Sequence, residues 1–157
     1  MFRRFKVMAA LPKKSKVLTK RPAGDGSRAP VQPLVLVVED HADTRFLVKR
    51  LLEMHGYRVI EAGDGEQAVR LAETMHPDLV LMDTNLPRVD GLTATRRMRG
   101  LANIRKVPIV FLSGHAQPKF RAMALAMGGD DYVTKPFDPM DLQRIVERHL
   151  HRANGGG

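Results

Sequence analysis

The chain has 157 residues, enough for one globular domain, and it contains no cysteine, which excludes disulfides and thiolate metal sites. Its formal charge of +9 is uneven, because residues 1–33 carry nine Lys or Arg and one acid, whereas residues 34–157 carry seventeen Lys or Arg and sixteen acids. The apolar runs fall far short of the ~20 residues that a membrane helix needs, so we expect a cytoplasmic protein without membrane contact.

Residues 1–33 contain four of the ten prolines and show no sustained apolar period. This composition predicts a disordered, basic leader that cannot bury a core. A basic tail can bind the phosphates of nucleic acid or of lipid. No aromatic stacking pattern or nucleic-acid-binding fold accompanies the charge, however, so we favour a solvated leader over a nucleic-acid-binding one.

From residue 34 onward, strand patterns alternate with helix patterns. Residues 34–38 are continuously apolar, as in a strand buried on both faces of a sheet. The predicted strands cover residues 34–38, 57–61, 79–82, 107–112 and 132–134. Five strands alternating with five helices predict a doubly wound α/β fold with a parallel sheet. We expect the domain to span residues 34–150 and residues 151–157 to form a flexible tail.

Capping residues and apolar stripes mark the predicted helices. Asp40, Asp64 and Asp138 are predicted to cap the helices after the first, second and fifth strands. The predicted stripes are Leu47, Leu51 and Met54 in the first helix, Ala68, Leu71, Ala72 and Met75 in the second, Phe120, Met123, Ala124 and Met127 in the fourth, and Leu142, Ile145, Val146 and His149 in the fifth. The third helix is predicted at about residues 92–99.

Polar side chains occupy the ends of four predicted strands, where doubly wound sheets bind their ligands. Glu39 and Asp40 end the first strand and Asp83 follows the third, while Ser113 and Lys135 follow the fourth and fifth. The first and third strands should be neighbours, so the three carboxylates would repel one another unless a proton or a cation joins them. An all-oxygen ligand set favours Mg2+.

This set of groups is suited to phosphoryl transfer. Asp83 can attack phosphorus, Glu39 and Asp40 can hold the metal directly or through water, Lys135 can stabilise phosphoryl oxygens, and Ser113 can donate a hydrogen bond to one. Each residue alone also has a structural interpretation as a helix cap or a solvated charge. Those interpretations do not explain why all five lie at one edge of the sheet.

Four segments then carry a family resemblance: Leu36-Val37-Val38-Glu39-Asp40, Leu79-Val80-Leu81-Met82-Asp83, Val110-Phe111-Leu112-Ser113-Gly114 and Asp130-Asp131-Tyr132-Val133-Thr134-Lys135-Pro136-Phe137. In this order, each at a strand end, they resemble the response-regulator receiver family over about residues 34–150. The resemblance implies a flavodoxin-like (βα)5 fold with strand order 2-1-3-4-5. It also implies a cis peptide bond between Lys135 and Pro136.

The resemblance further implies what the site does. Asp83 would accept a phosphoryl group from a histidine kinase or a histidine phosphotransfer protein, with Mg2+ held also by the backbone carbonyl of Asn85. The domain would catalyse only its own phosphorylation and dephosphorylation. Ser113 and Tyr132 would form the switch that remodels a face of the fourth helix, fifth strand and fifth helix, where a downstream protein or a second copy would dock. No output domain follows residue 150 in this sequence, so we expect a single-domain regulator that acts by protein contact or phosphorelay.

Two other classes of function are compatible with parts of the pattern. A Mg2+-dependent phosphohydrolase could use Asp83 as its nucleophile, but the haloacid-dehalogenase-like family has an acid two residues later, where this chain has Asn85. A flavin-binding protein would need a loop that cradles phosphate after the first strand. Here that loop is acidic, with Glu39, Asp40 and Asp43.

Overall fold

The structure, a computed structural model, describes residues 30–155. The predicted leader lies outside the described residues except for its last four positions. The strands are β1 Leu34–Val38, β2 Arg58–Ala62, β3 Leu79–Asp83, β4 Ile109–Ser113 and β5 Asp131–Thr134. The helices are α1 Ala42–Met54, α2 Gly65–Met75, α3 Gly91–Arg99, α4 Pro118–Ala126 and α5 Pro139–Gly155. Among the described residues, none of the helices combines the length and the apolarity that crossing a bilayer requires.

The five strands form one sheet in the order β2-β1-β3-β4-β5, and every neighbouring pair is parallel. This confirms the predicted fold class and strand order. The register places Val38 of β1 beside Met82 of β3, and Ser113 of β4 beside Thr134 of β5. The carboxyl ends of the central strands therefore meet at one edge of the sheet, as the sequence predicted.

Both faces of the sheet are covered by apolar side chains. Met82 and Phe111 belong to the cluster that includes Ala72 of α2, Met98 of α3 and Ala124 of α4. The other face of the sheet packs against α1 and α5, and its cluster consists of Val35, Val37, Val48, Leu52, Leu79, Leu81, Val110, Leu112, Val133, Leu142, Val146 and Leu150. Because a fully buried aliphatic side chain stabilises a fold by about 1.5–3 kcal/mol, these two layers hold the sheet edge rigidly in place.

The buried face of α1 differs from the predicted one. Val48 and Leu52 are buried, whereas Leu47 is 67% exposed and Met54 is 76% exposed. Both sets of residues have helical spacing, so periodicity alone could not choose between them. A similar correction applies to α4, where Met123 is exposed and the small Ala124 is buried against the sheet.

The helix ends also test the predicted caps. Asp64 caps α2 as predicted, because its side chain accepts a hydrogen bond from the Gln67 backbone N–H at 2.8 Å. Asp40 does not cap α1: the N-cap is His41, with no side-chain capping bond. The physical reason is that α1 begins one residue later than predicted, which leaves Asp40 in the loop beside the site.

Helix α5 is longer than predicted. Its predicted stripe is confirmed, since Leu142, Val146 and His149 are buried. The helix then continues past Leu150 to Gly155, so most of the predicted flexible tail is helical. Of the α5 residues whose burial is described, Leu150 is the last buried one. Sequence periodicity detects only the packed face of a helix, so it did not predict these final residues.

Candidate functional site

Asp83 lies at the carboxyl end of β3 and is 3% exposed. Its Oδ1 accepts a hydrogen bond from the Asn85 backbone N–H at 3.1 Å, which orients the carboxylate. Its Oδ2 lies 3.4 Å from the Lys135 Nζ. Position 91 requires glycine, because a Cβ there would lie 2.0 Å from the Asp83 carbonyl oxygen. The site is therefore built against a closely packed loop.

Glu39 and Lys135 form the closest ion pair of the site. The Lys135 Nζ lies 2.6 Å from Glu39 Oε1, and Glu39 Oε2 accepts a hydrogen bond from the His41 backbone N–H at 3.2 Å. Glu39 is 1% exposed, so this interaction is shielded from water. Lys135 follows β5, its backbone N–H donates to the Ser113 carbonyl at 2.7 Å, and its peptide bond to Pro136 is cis, as predicted.

Two buried carboxylates thus share one ammonium group, and their pKa values move apart. Burial is the largest influence on Asp83, and together with the neighbouring Glu39 it raises the pKa of Asp83 to about 6. Burial acts most strongly on Glu39 and would raise its pKa. The hydrogen bonds from Lys135, from Asp83 and from the His41 backbone N–H together outweigh burial and hold that pKa well below its usual range. Burial disfavours the charged form of Lys135, yet both carboxylates keep its pKa raised. Within residues 30–155, the site therefore has more negative than positive charge.

Asp40 and His41 lie at the more exposed side of the site. The His41 Nδ1 lies 3.1 Å from Asp40 Oδ1 and 3.3 Å from Glu39 Oε2. Ligand atoms of Glu39, Asp40 and His41 lie within 4.8 Å of one another, a spacing that could hold a metal ion. With the carboxylate of Asp83 beside Glu39, the donor set consists mainly of hard oxygens and fits Mg2+.

Ser113 and Tyr132 lie on the other side of Asp83. The Ser113 hydroxyl is buried, and its oxygen accepts hydrogen bonds from the Thr84 hydroxyl at 3.0 Å and from the His115 backbone N–H at 3.1 Å. The Tyr132 hydroxyl donates to the His115 carbonyl at 2.6 Å. These four residues line a cavity of about 260 Å3 next to the site.

Sequence reasoning missed the residues that position the loop of Glu39 and Asp40. The Arg45 Nη1 donates to the Glu39 carbonyl oxygen at 2.7 Å, and its Nε donates to Glu61 Oε1 at 3.1 Å. Lys49 also pairs with Glu61, at 2.9 Å. Arg45 comes from α1 and Glu61 from β2, so only the pairing of β1 with β2 brings them together. No local sequence signal could have identified this contact.

The family comparison matches this geometry. A family model described as the response regulator receiver domain matches residues 35–147. The chain belongs to the response regulator receiver domain family. It is a receiver domain of the kind found in two-component signalling, with the fold and the polar strand ends described above.

Several curated proteins resemble this receiver domain in sequence. It is 37% identical over 119 residues to the alkaline phosphatase synthesis transcriptional regulatory protein PhoP of Bacillus subtilis, covering 76% of this chain and 49% of that protein. It is 40% identical over 120 residues to the aerobic respiration control protein ArcA of Escherichia coli K12, again covering 76% of this chain and 49% of that protein. The chain thus spans about half the length of the curated relatives it matches.

Solved structures show the same fold. The receiver domain of the sensor histidine kinase PA1611 from Pseudomonas aeruginosa PAO1 is 40% identical, with a TM-score of 0.72 over 77% of this chain and 99% of that one. That crystal structure has a magnesium ion coordinated in its active site cleft. A putative response regulator from Chloroflexus aurantiacus is 29% identical, with a TM-score of 0.75 over 78% of this chain and all of that one.

Proposed function

We propose that Asp83 accepts a phosphoryl group from the phosphohistidine of a histidine kinase or a histidine phosphotransfer protein, and that the phosphorylated domain signals by binding another protein. The observation that carries this proposal is the buried Asp83 carboxylate, which shares the single Lys135 ammonium with Glu39. Because its pKa is about 6, Asp83 is mostly ionised at neutral pH and can act as a nucleophile.

The proposed step exchanges one phosphorus bond for another. An Asp83 carboxylate oxygen forms a bond to phosphorus while the bond from phosphorus to the donor imidazole nitrogen breaks. That nitrogen keeps the bonding electron pair and takes up a proton, and Asp83 becomes an aspartyl phosphate. Lys135 would stabilise the phosphoryl oxygens, and the 3.4 Å between its Nζ and Asp83 Oδ2 supports this role. The domain would catalyse only this reaction and the hydrolysis of its own aspartyl phosphate.

Mg2+ would be held by Glu39, Asp40, Asp83 and the backbone carbonyl of Asn85. It would supply the positive charge that the carboxylates and a phosphoryl group need in order to share one site. Arg45 supports this arrangement, since it anchors the Glu39 backbone from α1. Glu39 already pairs with Lys135, so we expect it to reach the ion through water and Asp40 to bind it directly.

The output would pass through Ser113 and Tyr132 to the face formed by α4, β5 and α5. Phosphorylation adds roughly two negative charges beside Ser113 and Lys135. The Ser113 hydroxyl would move toward the phosphoryl oxygens, and Tyr132 would turn into the adjacent cavity. A downstream protein, or a second copy of the domain, would recognise the changed face.

The direct test uses Mg2+ and acetyl phosphate as a small donor, with intact-mass analysis. Wild type should gain the mass of one phosphoryl group, and Asp83→Asn should gain none. Asp141→Asn is a matched control, because Asp141 is an exposed carboxylate on α5 and should leave labelling unchanged. Labelling of Asp83→Asn at the wild-type rate would show that the acceptor is another residue.

A further inference from the structure

Thr84 directly follows the proposed acceptor and has no part in the predicted site. Its backbone is held firmly: its N–H donates to the Leu112 carbonyl at 3.2 Å, and its carbonyl accepts from the Gly91 N–H at 3.2 Å. Its hydroxyl donates to the Ser113 hydroxyl oxygen at 3.0 Å. A fixed residue just after β3 therefore holds the side chain that ends β4.

The loop after β4 has a second anchor at its far side. The Tyr132 hydroxyl donates to the His115 carbonyl at 2.6 Å, and the His115 N–H donates to Ser113 Oγ at 3.1 Å. Residues 113–115 are thus tied to β3 through Thr84 and to β5 through Tyr132. Both anchors line the cavity of about 260 Å3, which is the space into which Tyr132 could turn.

Asp83 and Thr84 lie on different sides of the sheet. Side chains alternate between the faces of a strand, and Asp83 is in register with Leu112 on the face covered by α1 and α5. Thr84 and Ser113 instead line the cavity together with Phe120, Met123 and Ala124 of α4, on the other side of the sheet. A hydrogen bond from Ser113 to a phosphoryl oxygen on Asp83 would therefore draw the hydroxyl away from Thr84.

We propose that Thr84 is a latch: its hydroxyl holds Ser113 in the resting position, and this hydrogen bond must break when the domain switches. The proposal rests on the proposed roles of Asp83 and Ser113. Thr84 is a positioning residue, because it acts on Ser113 and not on the phosphoryl group. Loss of one neutral hydrogen bond in the resting state should shift the switch roughly two- to tenfold toward the active arrangement.

The test uses beryllofluoride with Mg2+ as a stable mimic of the phosphoryl group, and it measures affinity and backbone amide resonances by NMR. Thr84→Val keeps the side-chain shape but removes the hydroxyl. It should bind beryllofluoride roughly two- to tenfold more tightly than wild type. Its unliganded His115 amide resonance should shift toward the liganded wild-type position. Thr84→Ser should restore wild-type values, because it keeps the hydroxyl.

Two further variants make the result specific. Thr74→Val removes an exposed hydroxyl on α2, which donates to the Arg70 carbonyl of the same helix, and should change neither readout. Thr84→Ala provides a second hydroxyl-free variant if Thr84→Val does not fold. Unchanged or weaker beryllofluoride affinity in a folded hydroxyl-free variant would overturn the latch. Failure of wild type itself to bind beryllofluoride with Mg2+ would instead overturn the proposed function.

Discussion

Asp83 and Asp131 are both buried carboxylates, but their surroundings differ. Asp131 begins β5 and makes hydrogen bonds with the Arg148 guanidinium, with His149 Nε2 at 3.1 Å and with the Tyr132 backbone N–H at 2.8 Å. Among the described residues, the one cation near Asp83 is Lys135, which it shares with Glu39. Asp131 is therefore surrounded by hydrogen-bond donors and cations, whereas Asp83 has fewer of both.

The pKa values of the two carboxylates reflect this difference. Burial acts to raise the pKa of Asp131, but His149, the Tyr132 N–H and Arg148 outweigh burial, so its pKa is lowered. Burial and Glu39 together raise the pKa of Asp83 to about 6. A carboxylate that is fully paired joins parts of the fold, here β5 and α5. A carboxylate that shares its cation with another carboxylate, as Asp83 does, is available to a metal ion and to a phosphoryl group.

The largest effect should follow from breaking the Asp131 cluster. Asp131→Asn leaves Arg148 and His149 facing a neutral amide, so it should lower the free energy of unfolding by about 2 kcal/mol. This value is below the usual cost of breaking a buried pair, because the Arg148 side chain is 52% exposed. Urea unfolding at pH 7 provides the measurement. Asp141→Asn, at an exposed pair on α5, should change stability little, and equal losses in both variants would contradict the comparison.

Adding Mg2+ should stabilise the folded chain through the Asp83 site, where two carboxylates share one ammonium group. At ten times its dissociation constant, Mg2+ should raise the free energy of unfolding of wild type by about 1.4 kcal/mol, because it binds only the folded chain. Asp131→Asn should gain the same amount from Mg2+. Asp40→Asn should gain less at that concentration, since it loses a proposed ligand. The measurement is thermal unfolding with and without Mg2+. A response of Asp40→Asn equal to that of wild type would contradict the proposed role of Asp40 as a ligand.

Removing the charge of Asp83 should stabilise the chain in the absence of metal. Because the folded-state pKa of Asp83 is raised, the folded chain binds more protons than the unfolded chain between the ordinary pKa and about 6, so stability falls as pH rises through this window. Asp83→Asn should therefore be more stable than wild type at pH 8, and this gain should shrink toward zero near pH 4. Chemical unfolding at both pH values tests this, and a gain that does not depend on pH would argue against repulsion at Asp83.

Removing one cation from the well-paired cluster should have the smallest effect. Arg148→Met leaves Asp131 with His149 and with Arg121, whose Nη2 lies 3.6 Å from Asp131 Oδ1. We expect a loss of about 0.5–1 kcal/mol in unfolding free energy and an unchanged rate of labelling by acetyl phosphate. Arg144→Met on the same helix serves as the control. A clear fall in the labelling rate of Arg148→Met would mean that the two clusters are coupled.

The sequence predicted most of the secondary structure because each strand is a short apolar run that ends in a polar residue. Glu39, Asp83 and Lys135 were expected at one edge, and the structure brings them into contact. Asp40 lies beside them but has His41 as its closest partner. The sequence predicted His149 only as part of an apolar stripe, whereas the structure shows it buried and hydrogen-bonded to Asp131.

By itself the sequence determined the fold class, the positions of the strands and the edge at which the polar groups gather, because local periodicity and chain order suffice for these. Only the tertiary structure decided which face of α1 is buried, since Leu47 and Val48 both lie on stripes with helical spacing. It also decided which charged groups are paired, because Asp131 meets Arg148 only when β5 and α5 pack together. Burial and pairing are properties of several segments at once, so no single segment of the sequence could reveal that Asp83 is short of positive charge.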